Sequence, residues 1–395
     1  MIKNLSVTLI YRLQIKYAGG KISVNITFFI GNGFDLNLGL KTRYKDFYKY
    51  FKENVRRSNI IRGWINEKDI LWSDLEKALG QSLSSINRGN LEQFYDDKDE
   101  MDDLLIDYLQ EEQEKYSYED EENIKKELIA SLDNFDINLS KADKQRIYRV
   151  KQRHAFNGVM YNFVVFNYTN CVDRIVEIQK KEDSVISTHT YFYDASQYNS
   201  DSKLGEIYHI HGTVNEEMIL GVNDESQINN EFLKQEEIFC DSFIKSYMNK
   251  MIGQQKTEEV QDLINNSEII CLFGMSIGET DKLWWEKIVD WLVEDKEKLL
   301  VIFWRDNKKL NKNRLPSRTI RNNDKVKNQF LEKGKGQLTD EKLRLIKDRI
   351  FVSYNDDDIF NFPKYDEEKD DSLKVFGKRF SGTRIDSIEN SIYNG

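Results

Sequence analysis

The feature that most constrains this chain is the apolar run Ile26-Thr27-Phe28-Phe29-Ile30, which stops abruptly at Gly31-Asn32-Gly33. A short unbroken run of this kind, bounded by glycines, reads as a buried strand entering a tight turn. Two glycines permit positive φ and close approach of one backbone to another. A segment rich in Tyr, Phe and Lys follows with a helical pattern. Strand, glycine turn and helix start together form an anion cradle, in which free amides and the positive end of the helix dipole meet a phosphate.

The glycine spacing leaves two readings open. A dinucleotide fingerprint G-x-G-x-x-G requires a third glycine at position 36, which is Leu36; the third glycine is Gly39, followed by Leu40, with Asp35 inside the interval. The turn therefore fits a ligand cradle or a purely structural bend.

The chain has 395 residues, enough for two domains or one large domain with insertions. Charged residues reach 32% and the apolar set 39%, so a sizeable core must carry broad charged helical faces. The net charge of −10 argues against binding nucleic acid over the whole surface. That charge is uneven: residues 96–122 are strongly acidic, whereas 308–347 are mostly basic. Cys171, Cys240 and Cys271 stand far apart with no C-x-x-C, which excludes a cysteine zinc ribbon and speaks against a disulfide framework. No stretch approaches the roughly 20 apolar residues needed to span a bilayer. The N-terminal stretch makes no convincing signal peptide, so the cytoplasm is the default location.

Taken in order, residues 1–25 read as an extension, 26–365 as one α/β domain, and 366–395 as a polar tail. From Tyr44 to about Asn87 the pattern is helical, and Ser73-Asp74-Leu75-Glu76 matches a capping box, in which Glu76 simply closes a helix start. Charged helices at about 86–155 form an insertion that packs beside the sheet or acts as a lid. Strands are expected at 161–166, 185–191, 206–212, 268–274, 299–304 and 349–353. Met218-Ile219-Leu220-Gly221 is expected to pair with 206–212 as a hairpin. Several strands end in a small or polar residue followed by a helix. That is the layout of a Rossmann-like, largely parallel sheet with ligands at the strand ends.

No G-x-S-x-G elbow, H-E-x-x-H, Walker lysine or kinase set is present. The histidines are His154, His189, His209 and His211. His209 and His211 lie two apart on an expected strand and so on one face, but no third ligand stands at metal spacing, and no metal is expected. His211, at a strand end before Gly212, stands where a general base would sit, though its spacing alone fits a hydrogen-bonded structural histidine. Asn167, at another strand end, can hold a ribose hydroxyl or a water, or merely terminate its strand.

With these residues in view, GNGFDLNLGLKTRYKDF, LWSDLEKAL, FNYTN, YHIHG, GVND and LFGMSIGETD together resemble the AbiH family of bacterial abortive-infection proteins, over about residues 26–360. A deeper similarity is to sirtuin-like NAD-binding domains. Gly31, Gly33, Gly39 and Leu40 fall on the sirtuin glycine turn, with Asp35 where its serine stands. Asn167 falls on the asparagine of the TQN motif, His211-Gly212 on the catalytic His-Gly, and Gly274-Met275-Ser276 on a late Gly-x-Ser turn. There are departures too: Asn32 replaces alanine, Thr169 replaces an aspartate, the proline and arginine of a further motif are missing, and so are the zinc cysteines.

The resemblance implies a sirtuin-like α/β fold and phage-induced growth arrest, without deacylation. It implies NAD as substrate or ligand, held by Gly31, Asn32, Gly33, Asp35, Gly39, Asn167, Gly274 and Ser276. Asn167, His211 and Asp35 would carry hydrolysis of the bond between nicotinamide and ribose. The first alternative is a nucleotide-binding sensor without turnover, and the second a toxin acting on nucleic acid through 308–347. Further expected partners are a phage-encoded trigger and a second copy in a homo-oligomer, with neither membrane nor nucleic acid expected.

Overall fold

The structure is a computed structural model that describes residues 23–67, 75–153, 158–181, 185–193, 196–252, 256–305, 316–336, 338–354 and 358–367. The extension through residue 22, Trp72, the Ser73-Asp74 start of the capping box, His154, residues 308–315 and 337 of the basic segment, and the tail from 368 lie outside the described residues.

The run after residue 23 forms β1 (Val24–Ile30), and β1 is the centre of the sheet. It pairs in parallel with β2 (Val159–Val165) on one side and with β5 (Ile269–Phe273) on the other. Parallel pairing continues through β6 (Leu299–Trp304) to β7 (Ile350–Tyr354). On the far side β4 (Ser196–His209) runs parallel to β2, and β3 (Val185–Tyr193) closes that edge antiparallel to β4. The order β3-β4-β2-β1-β5-β6-β7 makes the fold α/β and Rossmann-like.

Alternation along the central strands sorts side chains onto two faces. Ile26, Phe28 and Ile30 of β1 join Tyr161, Phe163, Cys271 and Val301 in one core, whereas Phe29, Val164, Ile270 and Leu300 join another. The first face is covered by α6 (Glu121–Asp133), α7 (Lys141–Arg153) and α8 (Cys171–Lys180), through Ile124, Leu128, Ile147 and Ile175. The second is covered by α11 (Lys256–Asn266), α12 (Lys282–Glu294), α13 (Pro316–Gly334) and α14 (Asp340–Lys347), through Ile264, Trp285, Phe330 and Ile346.

A third core forms a helical lobe at the C-terminal ends of the strands. It joins α2 (Tyr44–Asn54), α3 (Ile60–Glu67), α4 (Leu75–Ser82), α5 (Leu91–Gln113) and α9 (Glu237–Phe243) through Phe47, Ile61, Leu79, Phe94 and Phe239. The charged helices between β1 and β2 therefore divide: α5 belongs to the lobe, while α6 and α7 are ordinary sheet covers.

Two expectations are corrected. Residues 218–221 form no strand with β4; Val222 instead bridges Ile244, and the hairpin is β3–β4. The polar stretch 196–205 conceals half of that hairpin because it needs no apolar alternation near the sheet's edge. His209 and His211 do not share a face, since β4 ends at His209 and the chain turns through Gly212 at φ +69°.

Candidate strand-end site

The turn after β1 leads into α1 (Gly33–Asn37), a single turn of helix. Its glycines are explained first by packing. A Cβ on Gly33 would lie 2.4 Å from the Cα of Gly274, and one on Gly31 would lie 2.7 Å from the Gly274 carbonyl oxygen. The Gly33 amide donates to that oxygen at 3.0 Å, and the Gly31 amide donates to Phe273 at 2.9 Å. These two amides, expected to be free for an anion, are engaged within the protein. Gly39 has φ +87° and meets the backbone of Tyr365, whose amide donates to Leu38 at 2.8 Å; it ends α1 against a later segment. Asn32 turns back onto Thr42, donating to its carbonyl at 3.0 Å. Ser276 is exposed on the loop after β5, where buried Ile277 takes φ +50°. For a β-branched residue that conformation is strained.

Asp35 and Asn167 are brought together. Asn167 donates its amide to Asp35 Oδ1 at 3.0 Å, and the Thr169 hydroxyl donates to Asp35 Oδ2 at 2.8 Å. Asp35 is 1% exposed, and burial pushes its carboxyl up to about 6 against the hydrogen bonds from Thr169 and Asn167 and the nearby His209. Each Asp35 oxygen thus accepts a hydrogen bond, and the carboxyl group holds the Asn167 side chain in place. Asn167 Oδ1 is buried and has no hydrogen-bond partner among the described residues. His209 braces the same strand end, with Nδ1 at 3.2 Å from the Asn167 carbonyl and Nε2 at 2.7 Å from Asp173.

His211 belongs to a neighbouring group. Its Nε2 lies 3.0 Å from Oδ1 of Asp281, the residue at the head of α12. Its ring stands edge-on to Phe166 at 5.6 Å. Burial raises the Asp281 carboxyl, but the Lys245 charge and the His211 hydrogen bond outweigh it and hold the group well below the usual carboxylate range. A carboxylate only accepts, so Nε2 donates and the lone pair of the neutral ring sits on Nδ1. Burial, and then the charge of Lys245, lower the ring's basicity against the opposing bond to Asp281. Nδ1 is buried and has no partner among the described residues. Among the described residues, no hydrogen bond joins His211 to Asp35 or Asn167.

Lobe and strand ends are tied together by the last turns of α5. Gln113 accepts from the Asn170 amide at 3.0 Å, Gln110 donates to the Val214 carbonyl at 2.9 Å, and Tyr108 donates to the Lys41 carbonyl at 2.6 Å. These residues escaped the sequence reading, as did Thr169 as the partner of Asp35. Asp281 had a signal in the GETD end of its motif, but its partner is set by the fold.

Among the described residues no cluster of three or more His, Cys, Asp or Glu side chains could hold a metal ion, and no helix is long and apolar enough to cross a membrane. The basic segment contributes α13 and α14 to a sheet face, and some of its lysines pair with carboxylates: Lys347 with Asp324 at 2.6 Å, Lys333 with Glu279.

Residues 27–303, well over half the chain, match the family model described as bacteriophage abortive infection AbiH. No curated protein matches the chain.

Proposed function

The chain belongs to the AbiH family of bacteriophage abortive-infection proteins, and from that premise we propose that it arrests infected cells by hydrolysing NAD at the nicotinamide–ribose bond. The observation that carries this reading is a pair of buried acceptors at adjacent strand ends, Asn167 Oδ1 and His211 Nδ1, which have no partner among the described residues and are each fixed from behind by a carboxylate. A buried acceptor without a partner costs about 1–3 kcal/mol, which a ligand's hydroxyl or water can restore. The fit to the nucleotide is better at the ribose than at the pyrophosphate, because the amides of Gly31 and Gly33 are already used.

In this reading Asn167 orients the ribose or the attacking water. Heterolysis sends the bonding pair of the C1′–N bond to nicotinamide and leaves an oxocarbenium-like ribose. Water adds at C1′ and yields its proton to Nδ1 of His211, which releases it to solvent; the products are nicotinamide and ADP-ribose. A neutral imidazole aligned by a carboxylate suits that proton transfer. Asp35 acts through Asn167 as a positioning residue.

Mass spectrometry of NAD and nicotinamide after incubation with the purified protein tests the reading. Nicotinamide release is expected, with loss of about a hundredfold or more in His211→Ala and Asn167→Ala. Turnover unchanged in both variants would remove the site assignment. The second reading, a nucleotide sensor without turnover, draws support from Thr169: its hydroxyl is committed to Asp35 at a position where the sirtuin motif has an aspartate. Calorimetric binding of NAD with no product over hours is its signature.

A further inference from the structure

Behind His211 lies a closed circuit of buried polar contacts drawn from separate parts of the chain. Asp281 Oδ1, which holds His211 Nε2, also lies 3.5 Å from the Lys245 ammonium. Lys245 stands at the first position of α10 (Lys245–Met251) and pairs with Glu76 Oε2 on α4 at 2.7 Å. The other oxygen of Glu76 accepts from the Tyr168 hydroxyl at 3.1 Å, and that hydroxyl also reaches the Ile219 carbonyl at 3.2 Å. The Ile219 amide donates to the His211 carbonyl at 2.8 Å, which closes the loop. Glu76, Tyr168, His211 and Lys245 are each at most 8% exposed. The charged groups facing the imidazole are Asp281, from the head of α12, and Lys245, from the head of α10.

Such a circuit is more than lobe packing. Two carboxylates share one ammonium, and removing one partner from a buried charged set leaves the others uncompensated. Lys245 draws on the negative charge of Asp281, so that carboxylate can orient the imidazole without also driving it to the doubly protonated form. Glu76 holds the ammonium at the right reach, and Glu76 rides on α4 in the helical lobe.

We propose that Lys245 and Glu76 are positioning residues for His211: Lys245, anchored by Glu76, bridges to Asp281 and keeps that carboxylate on Nε2, so that Nδ1 remains the open acceptor. This rests on the reading of His211 as the base, and it makes the seating of α4 and α10 a condition for a working histidine.

The test reads the imidazole directly in the full-length protein, by two-dimensional NMR with 15N-labelled histidine. The chain has four histidines, and loss of one set of signals in His211→Asn assigns His211. The wild-type protein at neutral pH is expected to show Nε2–H with unprotonated Nδ1. Lys245→Met is expected to raise the protonation midpoint of His211, and Glu76→Gln to lower it. An Nδ1–H tautomer in the wild type would overturn the proposal. So would folded variants whose His211 signals and midpoint match the wild type. Where Lys245→Met fails to fold, Glu76→Gln and Lys245→Arg carry the measurement, with Lys245→Arg expected to retain the wild-type tautomer. Should the wild type release nicotinamide, the acid limb of its rate profile is expected to move up in Lys245→Met, with about tenfold lower turnover at fixed acidic pH for each unit of midpoint shift. Should it release none, the NAD reading falls, while the NMR outcome still decides the positioning role.

Discussion

At Gly33 and Asp35, two residues apart, the same turn does two different jobs. Gly33 is glycine because the turn after β1 leans on the turn after β5, backbone against backbone. In Gly33→Ala the added methyl runs into the backbone of Gly274, whose Cα would lie 2.4 Å away, so one of the two turns must move. Overpacking of that kind costs about 1–3 kcal/mol. A urea titration is expected to show a lower midpoint with an unchanged slope; an unchanged midpoint would mean that the turns give way freely. Asp35 reports through pH. Its native carboxyl titrates at about 6, above the unfolded value of about 3.9, so the native state holds the extra proton between those values. Its contribution to stability is present below about pH 4 and is lost as pH rises through 6. Relative to Asp35→Asn, the wild-type protein is expected to lose on the order of 1–3 kcal/mol between pH 4 and 7.5. Parallel stability profiles of the two proteins would contradict this.

At the scale of elements, acidic and basic charge was a poor guide to what each helix does. The helices α6 and α7 look like decoration in a charged stretch, yet they supply the cover of one sheet face. Leu128 of α6 is 1% exposed within the core that contains Phe28 and Phe163. Leu128→Ala is expected to cost about 2–5 kcal/mol, read as a fall in the urea midpoint. A cost near zero would mean that α6 is not part of the cooperative unit. On the other face, α13 and α14 carry the basic segment, and their apolar stripe through Phe330 and Ile346 is what seats them. The lysines of those helices follow from needing a solvated side, as any amphipathic helix does.

Across the whole molecule, a two-faced sheet carries a helical lobe over one end, and the candidate site lies where the two meet. The core strands were legible because residues buried on both faces must be continuously apolar: Phe28-Phe29-Ile30, Ile269-Ile270-Cys271-Leu272 and Leu299-Leu300-Val301-Ile302 need no context to be recognised. The strand ends were legible too: Asn167 and Gly274 each follow such a run, and His211 follows the β-rich Ile207-Tyr208-His209-Ile210 and precedes Gly212. The edge strand β3 showed in its β-rich run from Val185, but the first half of β4 did not, because a polar strand without apolar alternation resembles a loop. Local pattern along the chain is enough for the α/β class, the central strands, the family and the strand-end positions of Asn167, His211 and the glycines. It takes the closed fold to show that the glycines serve turn-on-turn packing, that Asp35 holds Asn167, and that His211 stands against Asp281, with Lys245 and Glu76 behind it. The physical reason is distance along the chain. Burial pattern is a local property that periodicity reports, whereas a hydrogen bond between residues 70 positions apart exists only after the sheet and the lobe have closed around it.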